Sequence, residues 1–509
     1  MKKFNMPRIT AKDAVLSFQH MFAMLGATIL VPILSGMSIP LALLSAGLGT
    51  IAFYFITQRK VPVFLGSSFA FLPALSTVIG TSVEQYSAEW NARSLAAMLA
   101  LFCAGLVYII LAVVIYFVGV EKVKKLFPPI VVGPVVIVIG MILVPKTFWN
   151  NIILNYSSVT PIASSVAWKQ WTTAGITALT IILVNAFAKP KSFLKVIPIL
   201  LGFVVGYIYS LCIGLVNFEG VFSADNIIIF QNMDKYFGFY GAWGDLTGAM
   251  VGSAMLSIVP LALVTFMEHL GDISANSTVC GKDFMVDPGL HRTVLGDGVA
   301  TSLSALLGGP ANTTYGENTA VLSITKNYNP RNIFFAACLA VLFGIFCVFG
   351  DLLSTIPSPV IGGASIVLFG MISASGLRAL VDAKVDFGNS KNMIVVSVVL
   401  SLGLGLGAMS LAGDILANAG VANASQLKIM IGSVEISPLA IATLAGILLN
   451  LIIPDHDKSE KENPVPQYND YVTDEHALAE SPAPDADTQV TEETESAPEQ
   501  QTTGETNHE

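Results

Sequence analysis

Phe127-Pro128-Pro129-Ile130-Val131-Val132-Gly133, continuing to Gly140-Met141-Ile142, returns in the second half as Pro357-Ser358-Pro359-Val360-Ile361-Gly362-Gly363, continuing to Gly370-Met371-Ile372. At one constant shift of 230 residues, Pro129, Gly133 and the whole Gly-Met-Ile triplet recur. Two further pairs stand at matching places in the chain. Gln19-His20 answers to Glu268-His269, and Ser67-Ser68-Phe69 answers to Thr313-Thr314-Tyr315. The chain is therefore read as two copies of one plan.

The medium of that plan follows from composition. Of the 509 residues, 53% are hydrophobic and 12% charged, with a mean hydropathy of +0.69. Soluble domains carry roughly 25% charged residues, so this is the composition of a polytopic helical membrane protein. Apolar runs between charged or turn-rich breaks place spans at 14–35, 39–57, 62–80, 94–118, 127–145, 171–188 and 194–216. The second half gives 254–279, 294–308, 311–326, 332–354, 358–377, 392–411 and 436–453, with 246–253 left as an interfacial lead-in. Lys2, Lys3 and Arg8 precede an apolar stretch from Ala14 to Leu34. That stretch is long for a signal peptide, contains Gln19 and His20, and is read as the first span.

Fourteen spans put both termini on one side. With a cytoplasmic N-terminus, 21 of the 26 Lys and Arg fall on inside segments, leaving Arg93, Lys146, Lys169, Lys235 and Lys428 outside. That bias agrees with the positive-inside rule. Each landmark pair lies seven spans apart, so the halves have opposite orientations, the inverted-repeat plan of many secondary transporters. The net charge of −9 belongs to residues 454–509, which hold 16 of the 35 Asp and Glu and 2 of the 26 Lys and Arg. This segment, rich in Pro, Glu, Asp, Thr, Gln and Ser, is read as a disordered acidic cytoplasmic tail. Cys103, Cys212, Cys280, Cys338 and Cys347 form no C-x-x-C pair. They are read as apolar thiols rather than a disulfide framework or zinc site.

The third and tenth spans are the most broken. One opens Val61-Pro62-Val63-Phe64-Leu65-Gly66-Ser67-Ser68-Phe69-Ala70-Phe71, the other Gly308-Gly309-Pro310-Ala311-Asn312-Thr313-Thr314-Tyr315-Gly316-Glu317-Asn318. Gly and Pro followed by β-branched, hydroxyl and aromatic residues favour extended backbone ahead of a half-helix. Such backbone survives at membrane depth only when buried in protein or lining a cavity. An ordinary Pro-kinked helix is the plainer alternative. Glu268 and Glu317 are the decisive side chains, because a carboxylate near the bilayer centre costs roughly 2.5 to 3.5 kcal/mol on insertion scales. His269 and His20 are the candidate salt-bridge partners. Asp272 lies one turn after Glu268 on the same face and could hydrogen-bond it or ligate a cation. Buried carboxyls beside free amides suit a small, flat, neutral ligand whose edge alternates N–H and C=O, since a protonated Glu both accepts and donates. Burial favours a carboxyl's neutral form, so a proton can be held and released as the site hydrates. Phe69, Phe71 and Tyr315 could add flat contact or simply pack between helices.

Ser17-Phe18-Gln19-His20-Met21-Phe22-Ala23-Met24, Gly66-Ser67-Ser68-Phe69-Ala70-Phe71, Glu268-His269-Leu270-Gly271, Asp287-Pro288-Gly289-Leu290-His291-Arg292 and above all Asn312-Thr313-Thr314-Tyr315-Gly316-Glu317-Asn318 resemble the nucleobase/ascorbate (nucleobase:cation symporter 2) family, and within it the bacterial branch that carries uracil. The resemblance covers about residues 10–453. It implies an all-α membrane protein of fourteen segments in two inverted repeats of seven, with short antiparallel strands in segments 3 and 10. By it, 14–118 and 246–354 form a core (segments 1–4 and 8–11), and 127–216 and 358–453 form a gate (segments 5–7 and 12–14), with 1–13 a cytoplasmic N-terminus.

It also implies that Glu268 and Glu317 hydrogen-bond a pyrimidine edge and that the backbone at Phe69, Tyr315 and Gly316 completes the site. Glu268 would carry the coupling proton, with Asp272 and His269 beside it. Purine carriers of the family usually have Gln where this chain has Glu317. Two positions depart from the pattern: Asp272 stands where one branch has His, and Ala320 replaces a Gly of the signature running from Glu317-Asn318 to Thr325-Lys326. The expected function is uracil import with protons by alternating access, in the plasma membrane. The alternatives are a xanthine or uric acid symporter and, from another class, an anion exchanger or channel of the same architecture. No enzyme is expected, for no H-E-x-x-H motif or nucleophile–base pair is evident. No metal and no cofactor is expected beyond the proton, whose place sodium could take. The expected partners are uracil or a related nucleobase, the lipid bilayer and, as an option, a second copy in a homodimer; no nucleic acid is expected.

Overall fold

The computed structural model describes residues 10–80, 83–119, 122, 128–155, 158–161, 164–189, 192–218, 227–418, 421, 424–431 and 434–454. The expected tail beyond Pro454 and the first nine residues lie outside this set.

The fold is mostly helical. Among the described residues, eight helical stretches are long and apolar enough to cross a membrane, and Pro198–Cys212, Pro330–Ile345 and Pro438–Ile452 are shorter apolar helices. The first half runs α1 (Ala11–Ser35), α2 (Ile39–Ile56), β1 (Leu65–Ser67), α3 (Leu72–Leu75), α4 (Ala88–Val118), α5 (Pro129–Thr147), β2 (Leu154–Asn155), β3 (Ser158–Pro161), α6 (Ser164–Phe187) and α7 (Pro198–Cys212). The second runs α8 (Met233–Tyr236), α9 (Gly248–Ile258), α10 (Leu261–Cys280), α11 (Leu290–Leu306), β4 (Asn312–Thr314), α12 (Gly316–Thr325), α13 (Pro330–Ile345), α14 (Cys347–Ser354), α15 (Ser358–Asp382), α16 (Ser390–Asn418), β5 (Met430–Ile431), β6 (Val434–Glu435) and α17 (Pro438–Ile452).

Proline sets several of these starts. Pro129 and Pro359 sit in the first turns of α5 and α15, where a missing N–H costs no helical bond. Thr10 caps α1 by accepting from the Asp13 N–H, while Asp13 reaches back to the Thr10 N–H. The eighth span departs from the expected window: its helix begins at Gly248, capped by the Thr247 side chain, and breaks before α10. Pro260 lacks the N–H that would bond back to Leu256, which explains the break. Within the expected span 332–354, Phe346 takes an extended conformation between α13 and α14.

Helix packing uses small residues, as bilayer proteins must when no hydrophobic drive separates helix from lipid. Where α4 meets α11, a Cβ on Gly105 would fall 2.7 Å from the Gly298 carbonyl oxygen. Large side chains such as Phe117, Phe187 and Leu448 remain exposed on outward helix faces, which suits contact with lipid tails. All five cysteines are free; Cys280 and Cys347 are buried, and Cys212 is exposed.

Candidate functional site

β1 and β4 pair antiparallel, Leu65 with Thr314, Gly66 with Thr313 and Ser67 with Asn312. All six residues are buried. A two-stranded ladder leaves its outer N–H and C=O groups unpaired, and neighbouring side chains satisfy them. Thr50 Oγ1 accepts from the Leu65 N–H at 2.9 Å and donates to the Leu65 carbonyl at 3.1 Å. Thr301 Oγ1 donates to the Asn312 carbonyl at 2.9 Å, and Asn312 Nδ2 donates to the Ser45 carbonyl at 3.1 Å. Extended chain is thus held in the middle of the helical protein without exposing polar backbone to lipid.

β4 feeds directly into α12. Gly316 and Glu317 occupy the first turn of that helix, where backbone N–H groups have no intrahelical acceptor. On the facing α10, Glu268 and Asp272 lie one turn apart. Thr314 Oγ1 donates to Asp272 Oδ2 at 2.8 Å. A Cβ built on Gly316 would lie 3.8 Å from Asp272 Oδ1, so the start of α12 and the middle of α10 adjoin. Glu268, Asp272, Asp297 and Glu317 are close enough to act on one another electrostatically.

Glu268, Asp272 and Glu317 are half-buried, while Ile273, Asn276 and Asn318 beside them are buried. The open face continues along both helices: Gly271, Ser274, Ala275 and Thr278 are exposed on α10, and Gly316, Ala320 and Ser323 on α12. Their spacing is that of one helical stripe in each case. The half-buried carboxyls therefore lie beside two exposed helix stripes of small residues, which run toward Cys280 and Thr325 at the helix ends.

The other candidates take different places. The Tyr315 ring is buried and lies over Gly66, where a Cβ would come within 2.4 Å of Tyr315 Cζ. Only glycine leaves room for it. Tyr315 Oη donates to the Ser67 carbonyl at 2.9 Å and accepts from Thr28 Oγ1 at 3.2 Å, and the Tyr315 N–H donates to the Phe64 carbonyl at 3.0 Å. Both its hydroxyl and its amide are thus engaged inside the protein. Phe69 is half-buried, its ring edge-on to Phe369 at 6.0 Å between centroids. Phe71 is buried in the core.

His269 points away from the accessible stripe. It is fully buried, with Nδ1 3.2 Å from the equally buried Asp297 Oδ2, although the pair is not aligned as a hydrogen bond. Asp297 was not among the expected residues. Its signal is a carboxyl flanked by Gly296 and Gly298 within an apolar window, though closer to the margin of that window than Glu268 is to its own. His20 is tied to α12 through Asn318, whose Nδ2 donates to the His20 carbonyl at 2.9 Å. Among the described residues no group of three or more His, Cys, Asp and Glu is arranged to hold a metal ion.

Residues 11–412 match the model of the family described as "Permease family". The chain is 40% identical over 445 residues to the uracil permease of Bacillus caldolyticus, covering 86% of this chain and 91% of that one. It is 32% identical over 437 residues to the uracil permease of Escherichia coli (strain K12), covering 86% and 90%. A putative pyrimidine permease of the same strain, RutG, is 36% identical over 417 residues, covering 81% and 87%. Among solved structures, the transmembrane domain of the cyanobacterial bicarbonate transporter BicA aligns with a TM-score of 0.54 at 15% identity, covering 79% of this chain and 98% of that one. The murine Slc26a9 anion transporter in its inward-facing state aligns at 0.57 and 11% identity, covering 89% and 69%. At these identities the likeness is one of fold.

Proposed function

This chain belongs to the Permease family and is a multi-pass membrane transporter, and on that premise we propose that it imports uracil together with protons by alternating access. The observation that carries the reading is the gathering of Glu268, Asp272 and Glu317 at the start of α12, beside the β1–β4 pair and open along one stripe. Relatives named uracil permeases, 32% to 40% identical over most of the chain, support the substrate.

The chemistry follows from the groups present. Carboxylates of Glu268 and Glu317 accept from the N–H donors of a pyrimidine edge, and the first-turn amide of Gly316, with that of Phe69, donates to its carbonyls. Carboxyls this close repel one another when ionised, so a proton or a donor ligand lowers the energy of the site. Glu268 carries the exchanged proton, Asp272 is held in place by Thr314, and His269 steadies the back of α10 through Asp297. No metal is needed for these steps.

The transport cycle moves a core (14–118 and 246–354) against a gate (127–216 and 358–453), as fourteen segments in two inverted repeats of seven. Matched contacts support the repeat: α4 packs on α11 as α13 packs on α2, α6 on α7 as α16 on α17, and α5 on α16 as α15 on α6. The transporter sits in the plasma membrane with both termini cytoplasmic. Uptake of labelled uracil in the presence of excess unlabelled bases tests the substrate. Uracil is expected to compete fully, and xanthine, uric acid and adenine weakly. Stronger competition by a purine would replace the substrate assignment with a purine one.

A further inference from the structure

Residues 227–245, which lead into α9, fold as a chain of short turns: a 3₁₀ turn at Ile229–Asn232, then α8, then 3₁₀ turns through Gly238–Asp245. Contacts along its length fasten the segment to the ends of the membrane helices. The Cys347 N–H donates to the Ile227 carbonyl at 3.0 Å, and Ile228 forms a β-bridge with Phe346. Tyr236 stands edge-on to Tyr86 at 5.6 Å between centroids, and the Lys235 ammonium lies over both rings, 5.1 and 5.4 Å from their centroids. The Tyr240 hydroxyl donates to the Leu306 carbonyl.

These points set the level of the segment. Leu306 ends α11, and Asn91, which a Cβ on Gly238 would meet at 3.2 Å, lies in the first turn of α4. α9 begins at Gly248, and both α4 and the stretch from α9 through α10 are long and apolar enough to cross a membrane. The segment therefore runs where several helices leave the bilayer. Residues three apart eclipse in a 3₁₀ helix, so each turn has one inward and one outward row. Phe239 and Ala242 are buried, whereas Tyr240 and Trp243 are 44% and 58% exposed. The first turns divide in the same way. Ile229 and Tyr236 are buried, while Phe230 and Met233 are 65% and 51% exposed. Leu306, whose carbonyl receives the Tyr240 hydroxyl, is itself 50% exposed, so the apolar flank of α11 continues onto the segment. Trp and Tyr at such a level suit the headgroup zone, where one end of the ring is apolar and the other wet. The only formal charges of the segment are Asp234, Lys235 and Asp245, which form no basic patch for an anionic lipid.

We propose that residues 227–245 are a membrane-surface platform, whose Phe230, Met233, Tyr240 and Trp243 insert into the bilayer headgroup layer at the Gly248 end of α9. Its partner is the glycerol and headgroup zone of the lipid, met by apolar and aromatic side chains rather than by charge. The inference is independent of the substrate and needs only a chain that crosses the membrane.

The test is tryptophan quenching in the full-length protein, reconstituted into phosphatidylcholine vesicles without anionic lipid. The chain has five tryptophans, so the Trp243 signal is the difference between the parent and Trp243→Phe. An interfacial side chain sits at the boundary between headgroups and acyl chains. Lipid brominated near the headgroup end of its chains is therefore expected to remove most of that signal, and more of it than lipid brominated near the chain ends or aqueous iodide does. Phe230→Trp places a second reporter on the other exposed row, with the same expected order of quenching, and decides alone should Trp243→Phe fail to fold. Three results overturn the platform. Strongest quenching by iodide puts the segment in water. Protection from all three quenchers puts it against protein, as in a contact with a second copy. Strongest quenching by bromine near the chain ends puts it inside the hydrocarbon.

Discussion

Thr314 Oγ1 donates to Asp272 Oδ2 at 2.8 Å, so the last residue of β4 is tied to the helix that carries Glu268. The bond fixes the spacing between the extended chain and α10 at the level where the carboxyls gather. Replacing Thr314 with Val keeps the shape and removes the donor. A buried hydrogen bond is worth about 0.5 to 1.5 kcal/mol net, so uracil affinity measured by isothermal titration is expected to fall by up to about tenfold. Thr314→Ser should retain most of it, and an unchanged affinity in Thr314→Val would take the bond out of the binding account.

Glu317→Gln leaves the first turn of α12 intact but removes a charge that can accept from two N–H donors. The expected result is a loss of uracil affinity of about tenfold or more, again by titration. Equal affinity in the variant would remove Glu317 from the site.

Gly66 is set by the Tyr315 ring above it. In Gly66→Ala the new methyl would lie 2.4 Å from Cζ, and the ring is held by Ser67 and Thr28. Overpacking of this kind costs about 1 to 3 kcal/mol, so the detergent-solubilised variant is expected to melt at a lower temperature and to transport poorly. Wild-type melting would mean that the ring has another place to go.

His269 and Asp297 are both fully buried, 3.2 Å apart. A double-mutant cycle with Asp297→Asn and His269→Gln is expected to give a coupling of about 1 to 3 kcal/mol in unfolding stability, the double variant costing less than the sum of the singles. Strict additivity would mean that the two side chains do not support each other.

That the chain is a helical membrane protein was legible because the signal is thermodynamic: apolar runs between charges have few other stable fates. Pro129 and Pro359, which the sequence offers only as landmarks of the repeat, lie in the first turns of α5 and α15, where the missing N–H costs no helical bond. The break before α10 was not predicted, because Pro260 lies inside an unbroken apolar run and composition alone does not separate a kink from a continuous span. Glu268, Asp272 and Glu317 stood out as carboxyls where carboxyls are costly, whereas Asp297 lay near the margin of its window and was passed over. Tyr315 illustrates a different limit. From the sequence, ligand contact and packing between helices are equally open for this ring; the structure lays it over Gly66 with its hydroxyl engaged by Ser67 and Thr28. Partners far apart in sequence, such as Lys146 and Ser76, leave no pattern in the chain at all.

The claim on which the rest turns is that Glu268, within this group of carboxyls, exchanges a proton as the base crosses. Uptake of labelled uracil into proteoliposomes, with an imposed inward proton gradient and with that gradient abolished by an ionophore, tests it directly. The account predicts accumulation above equilibrium only with the gradient, and none in Glu268→Gln under either condition. Accumulation that persists without the gradient, or that remains gradient-driven in Glu268→Gln, would contradict it.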